Sequence, residues 1–304
     1  MSGEIGSADI PAVCNAIASG IYLEGLGIDH GSEVIWYSDV IAGGIHGVKP
    51  DGTAVKTLNP ERMWTGGVSV NADGRVLSSG QGGIMWNDPQ SGRSGWLIAS
   101  IDRQPINGIN EMTSDGAGGI IFGTIDIESV IKGAAPASTA IYRLSVDREV
   151  TLLTEGIGFS NGVMFDPVRR RLYCNDTFRG VWGFDVAADF TLTGRQFLLD
   201  KEDADGMALD ADGNLWLTGF RSSHLACLAP DGRELTRLEL GLGSITQIRF
   251  GGSDMRDLYI NAVPADGGDT LKEGGEITAR NSHLYRTRAP VAGMRMEPPR
   301  FALG

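Results

Sequence analysis

The sequence predicts an all-β protein: a six-bladed β-propeller with four antiparallel strands per blade. Three observations predict it. A unit made of a short apolar stretch, an Asp/Gly-rich turn and an alternating strand recurs six times, with anchors at 29, 71, 115, 166, 210 and 251. Each copy is followed by a second apolar pair around another turn, so each repeat of about 44 residues offers about four short strands. Glycine is 44 of 304 residues while apolar residues reach 41%, which reads as many tight turns around a real core.

The units justify this in order. LGIDHGSEVIWYSD (26–39) pairs with IHGVKPDG (45–52), and VSVNADGRVLSSG (68–80) with IMWNDPQSG (84–92). EMTSDGAGGIIFGT (111–124) pairs with IYRLSVDRE (141–149), and VMFDPVRRRLYCND (163–176) with VWGFDV (181–186). MALDADGNLWLTG (207–219) pairs with LACLAPDG (225–232), and IRFGGSDMRDLYIN (248–261) with LYRTRAPVAG (284–293). Asp-Gly pairs at 51–52, 73–74, 115–116, 212–213 and 231–232 supply hairpin chemistry. Length alone suggests two domains. Evenly spaced anchors (42, 44, 51, 44 and 41 residues apart) predict instead one domain over 1–304. Residues 1–20 are then a tail and a closing strand, and AVCNAIASGIY (12–22) pairs with the last blade, because an open ring leaves a bare edge. The long spacing places an insertion at 126–140, read either as a surface loop or short helix or as a lid over the channel.

The charge balance narrows the partners. Lys and Arg total 26 and Asp and Glu 38, a net charge of −12. That disfavours nucleic acid, which needs a basic surface, and suits a small molecule or a cation. No apolar run approaches the ~18 residues of a membrane span, and no signal peptide is evident. The expectation is a cytoplasmic monomer or small homo-oligomer. Cys14, Cys174 and Cys227 are an odd, dispersed set, which argues against disulfides or a zinc knuckle.

Five residues before each anchor stand Glu24, Gly66, Asn110, Asn161, Asp205 and Thr246. Equivalent positions in a propeller form a ring around the axis, and five of these six carry a side-chain oxygen. Gly25, Gly67, Gly162 and Gly206 follow four of them, leaving room for a ligand or for close backbone approach. Two carboxylates converging with amide oxygens repel unless a hard divalent cation or protons intervene. A water-filled polar channel is the alternative. His30, His46, His224 and His283 fall outside the ring, and neither a nucleophile elbow nor a phosphate loop is present.

YLEGLGID, INGINEMTSDGAGGIIFGT, FSNGVMFDPVRRRLYCNDT and DADGMALDADGNLWLT resemble segments of the senescence-marker-protein (regucalcin), gluconolactonase and luciferin-regenerating-enzyme family, over about residues 22–301. The resemblance implies one divalent metal ion, calcium first, with zinc, manganese, magnesium or iron(II) also admitted by oxygen ligands. It implies Glu24, Asn161 and Asp205 as metal ligands and Asp205 as general base. It places Asn110, Glu111 and Glu128 near the substrate. It implies a metal-dependent hydrolase that opens a lactone, sugar-type or more apolar. Another ester or phosphotriester hydrolase on the same site, or a non-enzymatic calcium-binding propeller, are the alternatives. The sequence departs from the pattern at Leu26, where the family has proline, at Glu111, where aspartate is usual, and at Gly108, where sugar lactonases carry an arginine that binds substrate hydroxyls.

Overall fold

The computed structural model describes residues 14–132, 139–177, 179–267, 270 and 276–304. The fold is all-β and propeller-like. Leu23–Asp29, Val34–Asp39, Ile45–Val48 and Ala54–Leu58 form a first four-stranded sheet in sequential order. A second sheet runs from Thr65–Val70 to Ser94–Ile98, a third from Gly108–Ser114 to Val150–Ile157, and a fourth from Ser160–Asp166 to Leu192–Leu199. A fifth sheet has eight strands. Its two four-stranded halves begin at Ala204–Leu209 and Ser244–Gly251 and are joined by the single pair Gly219↔Ile245. Asn15–Gly20 pairs antiparallel with Ser282–Arg288 in that sheet, as the ring-closure expectation requires. The part of the expected tail before residue 14 lies outside the described residues.

The core is split between neighbouring sheets, as stacked blades demand. Ile121, Ile141 and Ile157 of the third sheet meet Val163, Phe165 and Leu172 of the fourth. Met164 and Tyr173 meet Met207, Leu215 and Leu217, and Trp216 and Leu238 meet Ile248 and Ile260. Leu23, Ile35 and Tyr37 close against Tyr259 and Leu284. The turn anchors hold hairpins by side-chain acceptance: Asp115 Oδ1 accepts from the Ala117 and Gly119 amides, and Asp210 Oδ1 from those of Asp212 and Asn214. All three cysteines are free thiols.

The innermost strands are stitched together by one repeated contact. Ser38, Ser79, Asn175, Thr218 and Asn261 occupy matching places on five second strands, all but that of the third sheet. Each donates to the carbonyl of a ring residue in the next inner strand, namely Gly66, Asn110, Asp205, Thr246 and Glu24. The glycines beside the ring serve the same packing. A Cβ on Gly25 would lie 2.1 Å from the Gly66 carbonyl oxygen, and one on Gly162 would lie 2.4 Å from that of Asp205. Of the two uses expected for these glycines, close backbone approach is the one the structure shows. Gly25→Ala is therefore expected to cost about 1–3 kcal/mol through overpacking, seen as a lower thermal midpoint.

One element is not anticipated by the repeats. The chain after residue 288 crosses the channel at the C-terminal ends of the inner strands. Met294 N donates to Leu209 O on one side, and the far side is tied by Ala72 N to Pro299 O and Arg300 N to Gly118 O. Between this strap and the inner strands lies a cavity of about 620 Å³, lined by Leu26, Met112, Met164, Met294 and Met296 among others. No helix among the described residues is long and apolar enough to cross a membrane.

Candidate functional site

The ring residues sit at the opposite, N-terminal ends of the inner strands, so the cavity under the strap is a separate space. Glu24, Asn110, Asn161 and Asp205 are each the second or third residue of their inner strand. The backbones of Glu24, Asn110 and Asp205 are held by the donors above, and Thr177 Oγ1 adds a bond of 2.8 Å to the Ala204 carbonyl. Asn110 Nδ2 donates to Asn161 Oδ1 at 2.7 Å, so the Asn161 oxygen faces Asn110 and its amide nitrogen is left to donate to the Asp205 carboxylate. Asp205 is buried, and its Oδ1 has no hydrogen-bond partner. Of the other two ring positions, Gly66 offers no side chain, and Thr246 spends its hydroxyl on the Leu23 carbonyl at 2.7 Å. Four of the five expected side-chain oxygens therefore remain for chemistry.

The electrostatics show an unneutralised acidic centre. Burial, and then the charge of Glu111, pushes the Glu24 carboxyl up to about 8. Asp205 is raised well above the ordinary carboxylate range by burial and by Glu24, Glu111 and Asp203, against a lowering contribution from the Asn161 amide. Tyr22 feels the same pair: burial and the charges of Glu24 and Asp205 raise its phenol. No group of three or more His, Cys, Asp or Glu with metal-binding geometry occurs among the described residues. The ring instead offers two carboxylates and amide oxygens. An orphaned buried carboxylate oxygen beside a second crowded carboxylate is a donor set that fits a hard divalent cation.

Glu111 and Glu128, expected near the substrate, are engaged in different ways. Glu111 is buried one step below the ring. Its Oε2 accepts from Arg249 Nη2 at 3.2 Å and from Gln247 Nε2, and its Oε1 accepts from Met112 N at 2.8 Å. Arg249 also bonds Gln247 Oε1 at 2.7 Å and Met207 O at 2.8 Å. These three side chains form a floor across the channel, and both Glu111 oxygens are engaged, Oε2 within it and Oε1 by the Met112 amide. Glu128 opens the short helix Ile127–Ile131, is 63% exposed and pairs with Lys132 at 3.6 Å. It is not among the charges that shift Glu24 or Asp205. Part of the expected lid, 133–138, lies outside the described residues. Arg249 escaped the sequence reading although a signal existed: it is the only basic residue in the six inner strands.

Comparison with known proteins agrees with this architecture. Residues 23–263 match the family model described as the SMP-30/gluconolactonase/LRE-like region. The chain is 26% identical over 252 residues to pentonolactonase XacC of Haloferax volcanii, covering 80% of this chain and 82% of that protein. Among solved structures it resembles a luciferin-regenerating enzyme, with a TM-score of 0.81 and 20% identity over 96% of this chain and 99% of the other. It also resembles a calcium-binding regucalcin of Agrobacterium tumefaciens, with a TM-score of 0.77 and 19% identity over 96% and 98%. The chain belongs to the SMP-30/gluconolactonase/LRE-like family.

Proposed function

We propose that this protein is a divalent-cation-dependent lactonase, a single propeller of six blades whose ring of oxygens is the active site. The six-blade count divides the eight-stranded sheet at its single joining pair. Five matching inner-strand contacts support that division. At the sixth junction a Cβ on Gly123 would collide with Ser160 Oγ, so direct packing replaces the contact. The observation that carries the functional reading is the buried, unpartnered Asp205 Oδ1 facing a second carboxylate in a chain of this family. The names of its relatives, a pentonolactonase and a calcium-binding regucalcin, support lactone chemistry and calcium as the first cation to try.

Glu24, Asn161 and Asp205 would hold the cation. When bound, it would polarise the ester carbonyl and offset the repulsion between the two carboxylates. Asn110 donates to the Asn161 oxygen and so positions it. Asp205 accepts a proton from the attacking water as the new C–O bond forms. It returns that proton to the ring oxygen as the ester C–O bond breaks, giving the hydroxy acid. Glu111 acts through the floor and not on the substrate. Arg249 offsets part of its negative charge beneath the site.

The test measures hydrolysis of lactones, aryl esters and phosphotriesters by chelated protein and by protein reloaded with calcium, manganese or zinc. Lactone turnover that falls on chelation and returns on reloading is expected. Full turnover by thoroughly chelated protein, or turnover confined to phosphotriesters, would overturn the reading.

A further inference from the structure

A second set of equivalent positions lies two residues before each ring residue, at the mouth of the channel: Tyr22, Trp64, Gly108, Phe159, Asp203 and Ser244. For four of them the equivalence is also structural. The carbonyls of Tyr22, Trp64, Phe159 and Asp203 each accept from the residue just after the second strand of their own sheet, namely Val40, Gln81, Thr177 and Phe220, at 2.9 to 3.1 Å. Asp39 Oδ1 accepts from the Tyr22 amide and Asp176 Oδ1 from the Phe159 amide, so the same acid anchors the same loop in two sheets.

Three of the six rim positions are aromatic, and the structure has gone to some cost to place one of them. Trp64 has a φ of 53°, a left-handed conformation that a bulky residue rarely adopts. Gly80, which stands where Asp39 and Asp176 stand in their sheets, makes this possible: a Cβ there would lie 2.3 Å from the Trp64 carbonyl oxygen. Trp64 packs beside Tyr22 in one apolar cluster with Val40, Val263 and Ile277. At Gly108 the space is already apolar, since a Cβ would meet Ile125 Cγ2 and Ile127 Cβ, both at 3.1 Å. No long polar side chain fits there without displacing Ile127.

The two polar rim positions are engaged within the protein. Asp203 is held by Lys201 Nζ at 2.5 Å and by Ser222 Oγ at 2.6 Å, and Ser244 Oγ donates to Ala265 O at 3.2 Å. A polyhydroxylated substrate would find few unengaged hydrogen-bonding groups at this rim, and an apolar substituent would find the half-buried rings of Trp64 and Phe159, with Tyr22 buried behind Trp64.

We propose that Tyr22, Trp64, Phe159 and Ile127 form a collar that selects lactones bearing an aryl or alkyl substituent over polyhydroxylated sugar lactones. This rests on the lactonase reading of the ring beneath and names its substrate class. The collar takes the substituent of the acid or alcohol part while the ester lies over Glu24, Asn161 and Asp205.

The experiment compares kcat/KM for γ-phenyl-γ-butyrolactone, a γ-alkyl lactone, unsubstituted γ-butyrolactone and a pentono-γ-lactone. The wild type is expected to favour the substituted apolar lactones at least tenfold over the sugar lactone. Trp64→Asn, chosen because Asn tolerates the left-handed backbone, and Phe159→Gln are each expected to raise KM for the phenyl lactone about tenfold. Neither is expected to change kcat/KM for γ-butyrolactone more than twofold. Preference for the sugar lactone, or equal losses on all lactones, overturns the collar and leaves the lactonase reading standing. If no lactone turns over, the lactonase reading fails, and binding of a phenyl-substituted γ-lactam then decides the collar. Loss of that binding in both variants supports it, and unchanged binding overturns it.

Discussion

Asp205→Asn is expected to lower lactone turnover by about 10²–10⁴-fold while raising the melting temperature of the metal-free protein. The two effects have one cause. Asp205 is buried with Glu24, Glu111 and Asp203 acting on it, and its Oδ1 has no partner. A carboxylate in that position costs folding free energy for its desolvation and repulsion, and the function retains it. Asparagine has nearly the same shape and can still meet the Asn161 amide, but it carries no charge and cannot take a proton. Removing a positioned general base typically costs 10²–10⁴-fold. Relief of the buried repulsion is worth about 2–4 °C per kcal/mol in a large domain. Thermal unfolding of chelated wild type and variant, beside their rates on the same lactone, checks both parts. A variant that loses activity and stability together would mean that Asp205 is a structural residue. A variant that keeps its full rate would remove it from the mechanism.

The ring is legible in the sequence because a repeat converts sequence position into spatial position. Stepping back five residues from each turn anchor found Glu24, Asn110, Asn161 and Asp205, and the structure assembles those four residues at one level. Repeat position fixes spatial role only for residues that keep the register and whose neighbours leave them free. Thr246 keeps the register but bonds the Leu23 carbonyl. Glu111 lies one residue past the ring, and its direction is set by Arg249 and Gln247 of a strand 136 residues and more away. No local pattern encodes that pairing. Glu128 sits in the insertion, where the register fails. The strap was illegible for a related reason: residues 289–293, read as part of the sixth repeat, leave the sheet after Arg288, the rest belongs to no repeat, and the segment is held mostly through backbone groups, which any sequence supplies. The mouth positions were legible in principle, since Tyr22, Trp64 and Phe159 share a register, but only the matching carbonyl contacts show that the register holds outside the strands.

Metal-free protein is expected to lose stability as pH rises from about 5 to about 8, and a divalent cation at pH 8 is expected to restore it. The folded state holds the Glu24 carboxyl up at about 8 against an ordinary value of 4.5, with Asp205 and Glu111 shifted in the same direction. Between those limits the folded protein binds more protons than the unfolded chain, so unfolding free energy falls as pH rises through the window. The stability contributed by these protonated groups is complete below the unfolded value and is lost above the folded one. Surface ion pairs do not mimic this. Asp254, held down to about 2 by Arg288, loses its contribution only as pH falls below the ordinary aspartate range, which is a different window and the opposite sign. A cation that binds only the folded state adds about 2.7 kcal/mol at a hundredfold excess over its Kd, so several degrees of melting temperature return at pH 8. The return should be smaller at pH 5, where protons already occupy the carboxylates and compete with the metal. Melting curves at pH 5 to 8, with chelator and with excess calcium, measure the whole pattern. A flat profile with no response to any divalent cation would identify the ring as a water-filled channel. A response to cation in which Asn161→Ala binds as tightly as wild type would keep the metal and remove Asn161 from its ligands.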